Sequence, residues 1–91
     1  MIRHSFTKVY LDNLKPAEIG KRYMVYDSIR PELAIRITDN DIKSFIIQKR
    51  HNGKILKITL GKYPSMSINQ AREKALEELN KLSSGVNPNE E

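Results

Sequence analysis

The stretch from Lys43 to Tyr63 reads KSFIIQKRHNGKILKITLGKY. Asn52-Gly53 supplies the two positive-φ residues of a type I′ turn, whose twist matches that of the strands on either side. The stretch therefore predicts a β-hairpin. Between Lys43 and Lys62 it carries six basic residues and no acidic one, a charge pattern typical of a surface that meets nucleic acid.

The turn also predicts the register of this hairpin. If His51 and Lys54 close the loop, the cross-strand pairs run from Arg50 with Ile55 to Phe45 with Leu60. Side chains alternate between the two faces of a strand, so one face is apolar and consists of Phe45, Ile47, Leu56, Ile58 and Leu60. The other face is mainly polar and consists of Ser44, Ile46, Gln48, Arg50, Ile55, Lys57 and Thr59. A slip of one residue would mix the two sets, which favours this register.

The residues before the hairpin predict a short helix and further strands. Thr7 is a suitable N-cap for a helix that reaches about Leu14 and is anchored by Val9, Tyr10 and Leu14. Residues 22–26 and 32–38 have the composition and alternation of strands. Three or four antiparallel strands then follow in sequence, most simply as a meander.

After Tyr63-Pro64 the apolar period changes from two to nearly four, which predicts a helix. Ser67 and Gln70 form a capping-box pattern at its start, and the helix is expected to end near Ser83-Ser84-Gly85. Its apolar face comprises Ile68, Ala71, Ala75, Leu79 and Leu82. Burial of each large apolar side chain of the sheet contributes about 1.5–3 kcal/mol, so this helix should cover the apolar sheet face. The predicted fold is α+β: a three- to four-stranded antiparallel meander packed on one face by a C-terminal helix, with a short N-terminal helix.

Composition restricts the classes of function. The 91 residues allow one domain with a modest core. The absence of cysteine excludes disulfides and thiolate metal sites, and two distant histidines do not form a ligand set; neither a metal nor another cofactor is expected. With no secretion signal and no stretch of about 20 apolar residues, we expect a cytoplasmic protein with no membrane partner.

The charge is unevenly distributed along the chain. The net charge is +5, but residues 1–62 contain thirteen Lys and Arg against six Asp and Glu, whereas residues 63–91 contain three against five. The first part therefore carries +7 and the second −2. This asymmetry favours an anionic partner that meets the strands and not the C-terminal helix.

Several short motifs resemble one protein family. In chain order they are Leu14-Lys15-Pro16, Tyr26-Asp27, Lys43-Ser44-Phe45, Asn52-Gly53-Lys54, Thr59-Leu60-Gly61-Lys62-Tyr63-Pro64, Ser67-Ile68 and Ala71-Arg72-Glu73-Lys74-Ala75. Together they resemble the N-terminal arm-type DNA-binding domain of phage and prophage integrases of the tyrosine recombinase family. Gly85-Val86-Asn87-Pro88 resembles the linker that leads to the next domain of such proteins.

The resemblance implies a domain organisation and a function. Residues 1–85 would be the arm-type DNA-binding domain, and residues 86–91 the start of a linker to core-binding and catalytic domains that this chain lacks. The sheet would lie in the major groove of double-stranded arm-type sites as part of an integrase that acts in DNA integration and recombination. Other integrase protomers and accessory DNA-bending factors would be its protein partners, and no small-molecule substrate is expected.

Candidate contact residues follow from the polar face and the strand ends. Those suited to base edges, at outward positions, are Arg36, Gln48, Arg50, Lys57 and Thr59. Those suited to phosphates, nearer the strand ends, are Lys43, Lys54 and Lys62. Ile46 and Ile55 are apolar on the same face; either they touch thymine methyl groups, or the N-terminal helix packs on that side through Val9 and Tyr10.

Catalysis by this chain alone is not expected. A tyrosine recombinase needs a Tyr nucleophile with an Arg, His and Arg cluster, and no such constellation occurs; Tyr63 is better explained as a core residue. The alternative function is a protein-interaction module that docks another integrase protomer or an accessory factor. The hairpin, or the acidic side of the C-terminal helix with Glu73, Glu77 and Glu78, would be its surface.

Overall fold

The chain folds into one sheet with two helices, as seen in a computed structural model that describes residues 2–83, apart from the side chains of His51 and Ser83. The elements are β1 (Ile2–His4), α1 (Lys8–Asp12), β2 (Arg22–Asp27), β3 (Leu33–Thr38), β4 (Lys43–His51), β5 (Lys54–Tyr63) and α2 (Ile68–Ser83). The predicted helix end at 83–85 and the linker at 86–91 reach outside the described residues. In the part of the chain that is described, no helix is long and apolar enough to cross a membrane.

The five strands lie in the sheet in sequence order. Strands β2 to β5 pair antiparallel, as the predicted meander requires. The additional strand is β1, which pairs parallel with β2 at the edge and makes the sheet mixed. The α+β prediction is confirmed, but the sheet has five strands where three or four, all antiparallel, were predicted. A segment of three residues is too short to show a period, and its pairing depends on β2, far along the chain.

The β4–β5 hairpin has the predicted turn. Asn52 and Gly53 both have positive φ, at 52° and 77°, and the predicted pairs hold from Arg50↔Ile55 to Ile46↔Thr59. The next predicted pair is wrong: Phe45 lies opposite Gly61, because a β-bulge falls between Phe45 and Ile46. A bulge gives one strand an extra residue, and here that residue is Leu60.

Both helices pack on the same face of the sheet. Ala71 and Ala75 of α2 join Phe45, Ile47 and neighbouring strand residues in one buried cluster, so the predicted cover of the apolar face is confirmed. The predicted capping box is present too: the Gln70 backbone N–H donates to Ser67 Oγ at 3.1 Å, and the Ser67 N–H donates to Gln70 Oε1 at 2.9 Å.

Helix α1 begins as predicted, and two of its predicted anchors, Tyr10 and Leu14, pack against the core. The Thr7 side chain accepts from the Tyr10 N–H, and the helix ends at Asp12. Its fully buried residue is Leu11, while the predicted anchor Val9 is 71% exposed. In a helix this short, a rotation of one residue changes which side chain faces the core, and the sequence offers adjacent apolar residues at positions 9–11.

An ion pair between Asp27 and Arg72 connects the N-terminal segment, the sheet and α2. Asp27, at the end of β2, is completely buried. Its carboxylate accepts from Arg72 Nε at 3.0 Å and from the N–H groups of Phe6 and Ile29. Arg72 in turn donates to the Phe6 carbonyl. The three segments therefore share one hydrogen-bonded centre behind the sheet.

Candidate DNA-binding face

The sheet face opposite the helices carries no helix within residues 2–83; we call it the open face. Cross-strand partners share a face, so the register assigns its members. They are Arg3, Arg22, Met24, Tyr26, Ala34, Arg36, Thr38, Ser44, Ile46, Gln48, Arg50, Ile55, Lys57, Thr59 and Lys62. Six of these strand residues are basic and none is acidic. The acidic residue of the described strands is Asp27, and it is buried in the core on the helix side.

All five predicted base-edge residues come together on the open face. Arg36 lies on β3, Gln48 and Arg50 on β4, and Lys57 and Thr59 on β5. Adjacent strands are about 4.8 Å apart, so three strands span roughly 10 Å, within a major groove about 12 Å wide. The arrangement presents a basic and hydrogen-bonding surface of a width that double-stranded DNA can accept.

The three predicted phosphate residues are placed differently from one another. Lys62 lies opposite Ser44 and so on the open face; without the bulge it would lie opposite Lys43 on the helix side. Lys54 is exposed at the tip of the hairpin, next to the turn. Only Lys43 is separated from the group.

Lys43 belongs to the helix side of the sheet. It pairs with Ile37 and Tyr63, both of which pack in or against the core. Its side chain is only 11% exposed, and its Nζ lies 3.8 Å from Asp41 Oδ1. This position does not favour a contact between Lys43 and a DNA backbone on the open face.

The centre of the open face consists of small and apolar side chains. Ala34, Ser44 and Ile46 are buried there although no described helix lies over them. The alternative in which the N-terminal helix covers Ile46 is wrong, because Leu11 and Tyr10 pack into the core on the other face. Ile55, the other apolar residue discussed for this face, is 53% exposed near the hairpin tip.

Tyr26 and Arg3 are open-face residues that the sequence analysis did not name as contact residues. The Tyr26 hydroxyl donates to Gln48 Oε1 at 3.2 Å. The Arg3 guanidinium carbon lies 5.4 Å from the centre of the Tyr26 ring, and its Nη1 donates to the Asp27 carbonyl at 2.9 Å. Arg3 could not be found earlier because its place depends on β1. Tyr26 stands in a recognisable strand, but a hydrogen bond reaching from β2 to β4 has no local signal.

Tyr63 serves the core, as predicted. Its ring meets Phe45 edge-on with centroids 6.0 Å apart, and its hydroxyl donates to Asp12 Oδ1. That hydrogen bond to a carboxylate raises the pKa of the Tyr63 phenol. A raised pKa makes the phenolate less available, which is the opposite of what a nucleophile requires.

A basic sheet face left open on a small α+β domain is the arrangement found in proteins that read nucleic acid with β-strands. The family follows from comparison: residues 6–91 match the family model described as Arm DNA-binding domain. The match covers nearly the whole chain, so the chain belongs to this family of arm-type DNA-binding domains typical of phage integrases. A search of curated proteins finds no match.

Proposed function

We propose that this domain binds specific arm-type sites on double-stranded DNA by laying the β3–β5 part of the open face into the major groove. In this proposal it is the N-terminal domain of a tyrosine recombinase that acts in DNA integration and recombination, and the catalytic residues belong to other domains of that protein. The observation that supports it best is the charge of the open face: six basic residues on adjoining strands, with no acidic residue among the described strand positions of that face.

The proposed contacts divide into two kinds. Arg36, Gln48, Arg50, Lys57 and Thr59 would reach base edges, because they project from the open face at alternate positions of β3, β4 and β5. Lys54 and Lys62 would contact phosphates, because they lie near the two ends of β5. Phosphate contacts position a protein on the duplex, whereas base contacts select the sequence. Lys43 is left out of this set because its side chain is largely covered.

The competing function is protein interaction through the acidic side of α2. Glu73 and Glu77 are exposed there, while Glu78 is mostly buried and lies within 4 Å of Lys74 and Lys81. Contacts with other protomers or accessory factors are compatible with DNA binding, since the open face and α2 lie on opposite sides of the domain. Salt dependence distinguishes which surface carries the affinity.

The test is the affinity for duplex DNA measured over a series of salt concentrations. Each phosphate neutralised contributes about −0.9 to the slope of log K against log salt. Lys62→Gln should weaken binding to all sequences alike and flatten the slope by about 0.9. Lys74→Gln, which removes the same charge from α2, should leave the slope unchanged. An equal slope for Lys62→Gln and the original protein would contradict the assignment of Lys62 as a phosphate contact. A flatter slope for Lys74→Gln would indicate that DNA is bound through α2.

A further inference from the structure

Gln48 and Tyr26 form a connected pair on the open face. Tyr26 pairs with Ala34 on β3, and Ala34 pairs with Ile46 on β4. Gln48 is two residues beyond Ile46 on β4, so the hydroxyl of Tyr26 reaches it across the whole width of β3. Ala34 has only a methyl group and is completely buried. A larger residue at that position would block the path of the Tyr26 ring.

Two contacts hold the Tyr26 ring in this position. The Arg3 guanidinium lies over the ring at 5.4 Å from its centre, within the range of a cation–π interaction. Arg3 is itself fixed by the bond from its Nη1 to the Asp27 carbonyl. The hydroxyl that meets Gln48 is therefore presented by a side chain supported from β1, and not by a freely rotating one.

The bond from Tyr26 has a chemical consequence for Gln48. A glutamine amide has one oxygen that accepts and one NH₂ that donates, and the recognition of adenine by glutamine uses both ends. Here Oε1 already accepts from Tyr26, which directs the oxygen across the sheet. The NH₂ is the end turned to a base, and it requires an acceptor. In the major groove, adenine offers one acceptor, N7, beside its N6 donor, and thymine offers one, O4, whereas guanine offers two neighbouring acceptors, N7 and O6.

We infer that Tyr26 is a positioning residue that sets the base preference of Gln48: it holds the amide oxygen away from the two-bond pair with adenine, so that Gln48 presents its NH₂ and prefers guanine. This inference rests on the proposed function, since it assumes that the open face lies in the major groove. It replaces the expectation from residue type alone, in which glutamine pairs with adenine.

The test is selection from a pool of random duplexes, with sequencing of the retained DNA, for the original protein and three variants. Gln48→Ala identifies the position that Gln48 reads, because preference there should be lost. At that position the original protein should select guanine over adenine. Tyr26→Phe keeps the ring and removes the hydroxyl; it should shift the preference at that position from guanine toward adenine by about fivefold, the lower end of discrimination by one base contact.

Tyr23→Phe is the matched control. It deletes a hydroxyl from the same strand, but that hydroxyl bonds the Lys15 carbonyl on the helix side, so the selected motif should not change. If the original protein selects no motif, the proposed function fails and the inference fails with it. Three results would contradict the inference alone, each with a motif selected by the original protein. The motif is unchanged in Tyr26→Phe, it is unchanged in Gln48→Ala, or the base lost as a preference in Gln48→Ala is adenine.

Discussion

At the scale of single residues, Asp27 shows how one buried group can organise a small domain. Burial by itself raises the pKa of the Asp27 carboxyl, but hydrogen bonds from Arg72, Ile29 and Phe6 together outweigh it and hold the pKa below its ordinary value of 3.8. The ionised form is therefore the one that the fold stabilises. An isolated carboxylate in this place would be strongly destabilising, and the bonds from Arg72 make it acceptable.

The acid dependence of stability should report this pair. Because the folded pKa of Asp27 lies below the unfolded one, its stabilisation is fully present above the unfolded pKa near 3.8 and is lost as the pH falls through the folded pKa. Each proton taken up on unfolding contributes up to about 1.4 kcal/mol per pH unit. Urea unfolding between about pH 2 and 5 should therefore show a shallower pH dependence for Asp27→Asn than for the original protein.

Glu73→Gln provides the control for that experiment, since it removes one carboxylate from the exposed side of α2. It separates the effect of the buried pair from the general effect of losing a negative charge. Equal steepness in Asp27→Asn and the original protein would show that Asp27 is not held in its ionised form by Arg72.

At this scale, local contacts could be predicted from the sequence, but contacts between distant residues could not. The capping pair of Ser67 and Gln70 could be predicted because both partners lie within one helical turn. The bonds of Asp27 with Arg72 and of Tyr26 with Gln48 join residues 45 and 22 positions apart. Nothing in the local pattern marks such partners, because their meeting depends on how the whole sheet and helix assemble.

At the scale of elements, the β4–β5 hairpin is the best-predicted part of the fold. Its turn residues and its alternation agree, and both are local properties. The bulge at Leu60 was missed because alternation continues through it: Ile58 and Leu60 are both apolar, and a regular ladder would explain them equally well. The bulge matters for the site, since it determines that Lys62 lies on the open face and Tyr63 in the core.

The turn itself should be sensitive to a single methyl group. Gly53 has φ of +77°, and a Cβ added there would meet nothing within 4 Å. Gly53→Ala should therefore cost only the strain of placing an L-residue in the left-handed region, about 1–2 kcal/mol, measured by urea unfolding. Asn52→Gly, which keeps the positive φ without a side chain, should cost much less. A loss below about 0.5 kcal/mol for Gly53→Ala would contradict the I′ turn.

At the scale of the whole molecule, the two faces of the sheet differ in chemistry. One face holds both helices and the core, with Asp27 buried in it; the other is basic and open. The sequence predicted this division from the charge excess of residues 1–62, because charge and alternation are both visible without the structure. It could not predict the parallel strand β1, which extends the open face by Arg3 and supports Tyr26.

The central claim, that the open face is the surface that meets DNA, is tested most directly by an NMR titration of the isotope-labelled domain with a duplex carrying the selected motif. We predict that amide shifts will concentrate on the open-face positions of β3, β4 and β5, with Arg36 and Lys57 among the most affected, while Glu73 and Glu77 of α2 stay unchanged. Shifts concentrated on α2, with Arg36 and Lys57 unmoved, would contradict the account.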